Sequence, residues 1–83
     1  MKKPNPSPQE IADENKKIKT LRFMVDFSVS LISQGMMTRE EALDRFDKVR
    51  KFAMRLFPDK EQVFDIIYAP RFIRIINEIY GLH

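Results

Sequence analysis

The chain reads as an all-α protein: a small three- to four-helix bundle with an αα-hairpin and a proline-kinked or broken last helix. Three observations carry this reading. Apolar residues recur at helical spacing over 8–33, 39–57 and 60–80. Each of these segments opens on residues able to cap a helix, and glycine or proline stands between them. No glycine or proline occurs from Gln9 to Gln34, so the first segment can run unbroken.

The start, KKPNPSP, holds three of the five prolines and no apolar period. It is expected to be a flexible arm over 1–7, leaving 8–83 as a single helical domain. Ser7 and Glu10 form a capping box around Pro8, which suits the first helical position.

The first helix spans about 8–33. Asn15, Lys19, Arg22, Asp26, Ser30 and Ser33 fall on one narrow polar arc. Ile11, Ile18, Leu21, Val25, Val29 and Ile32 oppose it, and Phe23, Met24, Phe27 and Leu31 widen the apolar side. So thin a polar strip predicts a central helix, contacted from more than one side. A strand competes for part of this segment, because Phe23, Val25, Phe27, Val29 and Leu31 alternate with Arg22, Met24, Asp26, Ser28 and Ser30. The polar arc continues beyond that alternation, which favours the helix.

SQGMMTREEA then turns the chain. Gly35 suits the left-handed end of a helix, and Thr38 with Glu41 makes the next capping box. Met36 and Met37 are expected to plug the hairpin end. GMMTREEA is generic capping chemistry and identifies no family. The second helix, about 39–57, should bury Leu43, Phe46, Val49, Ala53 and Leu56. Glu41–Arg45, Asp44–Lys48 and Asp47–Lys51 are favourable pairs four apart.

In FPDKEQ, Asp59 can cap a third helix with Gln62 as its partner. Pro70 removes an amide donor and clashes with the carbonyl of Ile66, so a break is expected at Tyr68–Pro70. Ala69 should leave helical geometry, being the residue before proline. A fourth segment follows over 70–80, with Arg74 facing Glu78, and Gly81 ends it.

Composition narrows the chemistry. No cysteine is present, so disulfides and thiolate metal sites are excluded. The only histidine is His83, and the only glycines are 35 and 81, so no phosphate-cradling loop exists. Ser28 lacks a base and should bond back to the carbonyl of Met24. Glu40, Asp44 and Asp47 read as a solvated face beside basic partners. No enzyme activity, cofactor or small-molecule substrate is expected. The +3 net charge is weak, since Lys2 and Lys3 supply two of the three charges. No apolar stretch is long enough for an export signal or a membrane span, which points to the cytoplasm.

The expected role is a protein–protein interaction module, an adaptor, accessory subunit or regulator that forms a homodimer. Tyr68, Arg71, Phe72 and Arg74 at the proline bend are the candidate contact residues, by their enrichment at interfaces. An anion held at the helix start beside Arg71 is a lesser candidate. The alternative is a nucleic-acid-associated regulator using Lys48, Arg50, Lys51 and Arg55 as a basic stripe.

Overall fold

A computed structural model describes residues 7–81, which form four helices: α1 (Pro8–Ser33), α2 (Arg39–Leu56), α3 (Glu61–Ile67) and α4 (Ala69–Tyr80). No strand occurs among the described residues, so the competing strand over 21–32 is helix throughout. The expected arm, apart from Ser7, and His83 lie outside the described residues.

Local chemistry sets most of the boundaries. Ser7 Oγ accepts the Glu10 amide at 3.2 Å, one half of the expected capping box, and Pro8 opens α1. Gly35 takes φ 69°, and its amide donates to the Ile32 carbonyl at 3.0 Å. Thr38 and Glu41 close their box in both directions, at 3.1 and 2.8 Å. Glu41 is therefore committed to the cap rather than to Arg45. Asp44–Lys48 and Asp47–Lys51 do pair, at 3.0 and 2.9 Å. Gly81, at φ 78°, ends α4.

The start of α3 departs from expectation. The Lys60 amide donates to the Phe57 carbonyl, so Asp59 sits inside a tight turn. Lys60 precedes the helix, and no side chain caps it. The proline break is narrower than expected. Tyr68 alone, at φ −102° and ψ −36°, separates α3 from α4. Ala69 is the first residue of α4, not a non-helical one. Pro70 thus falls in the first turn of α4, where a missing amide costs nothing. The Arg71 amide reaches back to the Tyr68 carbonyl at 3.1 Å, a tight turn across the join.

α1 and α2 form the antiparallel hairpin, and α4 lies against both. α4 runs parallel to α1. Arg71 at its start meets Asp26 at 2.7 Å, while Ile79 at its end approaches Gly35. The Tyr80 hydroxyl locks that end by donating to the Met37 carbonyl at 2.6 Å. α3 packs on α2 and α4. The core contains Leu21, Val25 and Ile32 from α1, Ala42, Val49 and Ala53 from α2, and Phe64, Ala69, Phe72 and Ile76. Phe46 bridges the last group, its ring 5.0 Å from Phe72 and 6.4 Å from Phe64.

Several burial expectations shift. On α2, Ala42 is buried and Leu43 is 39% exposed, while Phe46 and Leu56 are only partly buried. α1, α3 and α4 all pack against α2, and the small Ala42 lies within that packing. Met37 packs on the core, but Met36 is 86% exposed and plugs nothing. Ile11 is exposed beside Leu56 and Phe57 at the end of α2, and Ile18 is exposed in an open groove with Met54 and Phe57; close by, Glu14 reaches Lys60 at 3.6 Å.

Ser28 is wholly buried, and its hydroxyl has no hydrogen-bond partner; the expected bond to Met24 is not made. An unpaired buried hydroxyl costs about 1–3 kcal/mol. Ser28→Ala keeps the small volume and removes that cost. It is expected to raise unfolding stability by about 1 kcal/mol, read as a higher denaturant midpoint at unchanged slope. A lower midpoint would mean the hydroxyl is bonded in solution.

Candidate interaction surface

The proline-bend residues do not form one exposed patch. Phe72 is 0% exposed and belongs to the core, because the bend turns the apolar face of α4 inward onto Phe46. Tyr68 is half-buried, with its ring 5.7 Å from Phe64. Arg71 is exposed but paired with Asp26, so its charge serves the α1–α4 contact. Arg74 is exposed and forms no ion pair among the described residues, Glu78 included.

The α2 stripe is also largely neutralised. Lys48 and Lys51 meet Asp44 and Asp47. Arg50 turns away to α3, donating from Nε and an Nη to the Asp65 carboxylate, both at 2.9 Å, and to Glu61 at 2.8 Å. Arg55 remains exposed without an ion pair among the described residues. Hydrogen bonds to Asp65 and then to Glu61 hold the Arg50 guanidinium well above its usual range. The bond from Arg50 in turn lowers the Asp65 carboxyl, and the bond to Asp47 raises Lys51.

Arg50 therefore staples α3 to α2 through the Asp65 and Glu61 carboxylates. The folded-state pKa of Asp65 lies below its unfolded value, near 3.9. Its stabilisation is thus fully present above about pH 3.9 and fades as pH falls through the lower folded value. Acid titration followed by amide exchange is expected to release α3 before α1. Arg50→Met should leave α3 weakly protected already at neutral pH and remove the acid dependence of its release.

One open apolar surface lies on α1. Phe23 and Phe27, one turn apart, stack with ring centroids 5.9 Å apart and planes 9° from parallel. They are 65% and 47% exposed. At about 100° per residue, both fall on the side of α1 turned away from Leu21, Val25 and Ile32. α4 occupies the flank carrying Asp26, and neither α2 nor α4 covers the pair. Met24 and Leu31 on the adjoining flank are only partly buried and do not pack against the core.

Lys16 and Lys19 continue this side toward the start of α1, with Lys17 and Arg22 beside them. None of the four forms an ion pair among the described residues. The exposure of Phe23 had a sequence signal: on a helical wheel it falls between Ser30 and Lys16, at the edge of the polar arc.

A second apolar surface is a groove of about 200 Å³ at the foot of the bundle. Ile18, Met54, Phe57, Val63, Ile67 and Tyr68 line it, and Glu14 and Lys60 stand at its rim. No helix among the described residues is long and apolar enough to cross a membrane. No group of three or more histidine, cysteine or acidic residues able to hold a metal occurs among them. No known protein family, curated protein or solved structure matches the chain.

Proposed function

We propose that this protein is a non-enzymatic, self-associating helical interaction module, acting as an adaptor, accessory subunit or regulator. The observation that supports this best is the exposed, stacked Phe23–Phe27 pair on the longest helix. Two large aromatic side chains held side by side in water expose apolar area that association would bury, at about 25 cal/mol per Å². Aromatic residues grouped in this way are the usual anchors of protein interfaces.

A second reading has its own support. Lys16, Lys17, Lys19 and Arg22 have no ion pairs among the described residues and flank the two rings. Basic side chains beside exposed aromatics suit stacked bases of a single-stranded nucleic acid. This reading rests on α1 rather than on the α2 stripe.

Sedimentation velocity over a wide concentration range, at low and high salt, separates the two. Self-association predicts a mass that doubles and a thermal midpoint that rises with concentration, with little loss at high salt. A chain that stays monomeric at every concentration overturns self-association. Affinity for a labelled single strand that falls steeply with salt would favour the second reading.

A further inference from the structure

We propose that α1 pairs antiparallel with α1 of a second copy through its exposed face, across a two-fold axis level with position 25, with Phe23 of each copy on Phe27 of the other. This rests on the self-associating reading above and specifies its surface and geometry. α2 and α4 already cover two sides of α1, and the Phe23–Phe27 side is the one left open. A second copy there gives the helix the third neighbour its thin polar strip calls for.

The charges select the antiparallel direction. In a parallel pair, Lys16 would face Lys16 and Lys19 would face Lys19 along the seam. In the antiparallel pair, Lys19 lies level with Leu31 and Lys16 with Gln34 of the other copy. Like charges separate, and the lysines come to the carbonyl end of the partner helix. That end carries negative partial charge, and the last turn of α1 contains no basic residue of its own. An isologous interface makes each contact twice, so all four rings and both lysine groups are satisfied together.

The same two-fold accounts for the polar residues bordering the rings. Thr20 and Ser30 lie level with each other across the pair, and both are small and uncharged. An acidic peptide would instead need the lysines on its own carboxylates, and it offers no cation to the end of α1 that lacks a basic residue.

The absence of cysteine makes a direct test possible. Lys16→Cys and Gln34→Cys are placed in separate chains, which are mixed and treated with a short bis-maleimide. Both sites are exposed, so neither substitution threatens the fold. The mixture is expected to give a cross-linked dimer, and each variant alone much less. Cross-linking of Lys16→Cys with itself as efficiently as in the mixture overturns the antiparallel pairing. A dimer by sedimentation with no cross-link in the mixture places association on another face, and overturns this geometry while leaving self-association intact. A monomer under all conditions removes both.

Discussion

Phe72→Ala is expected to unfold the protein. The ring is fully buried and packs 5.0 Å from Phe46, where α2 and α4 meet. Removing a buried phenylalanine ring costs about 3–5 kcal/mol, part of it for the cavity left behind. A single core in a chain of this length supplies only roughly 3–5 kcal/mol of net stability. The substitution thus removes an amount comparable to the whole. Circular dichroism at fixed protein concentration should show most of the helical signal lost at room temperature. Arg74→Ala is the matched control on the same helix, because Arg74 is exposed and forms no ion pair among the described residues. It should change stability by no more than about 0.5 kcal/mol. Retention of a cooperative, near-normal transition by Phe72→Ala would mean that α4 does not dock through this ring.

The joint substitution Phe23→Glu and Phe27→Glu is expected to do the opposite: it should keep the fold and remove the assembly. Both side chains project from the bundle, so the core loses no packing. Glutamate is a good helix former and suits an exposed helical position. Across a two-fold interface the change removes four aromatic contacts. At about 1 kcal/mol for each half-buried ring, self-association should weaken by roughly a thousandfold or more, before any cost of burying carboxylates. Sedimentation should report a monomer with unchanged helix content. A dimer that survives both substitutions would relocate the interface, with the Ile18–Ile67 groove the next surface to probe.

The sequence is most legible where the chemistry is local. Ser7, Gly35, Thr38 with Glu41, and Gly81 each act within about one helical turn, and each stands at the helix end its chemistry marks. Pro70 likewise forces the division between α3 and α4. Asp59 fails as a cap because the chain turns through the Phe57 carbonyl instead, and a residue's capping capacity does not disclose which turn will claim it. The candidate surface is harder to read. Composition at the bend draws attention to Phe72, yet the bend direction buries it. The wheel places Phe23 at the edge of the polar arc, but spacing leaves Phe27 on a wide apolar face, and the positions of α2 and α4 reveal that nothing in the described chain covers the pair.

Arg50 illustrates the same division. Its spacing on α2 places it beside Lys48 and Lys51, whose partners lie four residues away on the same helix. Its own partners, Glu61 and Asp65, are on α3. By itself, then, the order of residues determined that the chain is helical and where its segments begin and end, since backbone hydrogen bonds and caps close over a few residues. Tertiary structure decided which apolar side chains of α1 and of the bend are sheltered, and which charges are neutralised between helices. Those outcomes depend on the angles at which whole helices meet, and such angles are set by the joint packing of residues far apart in the chain.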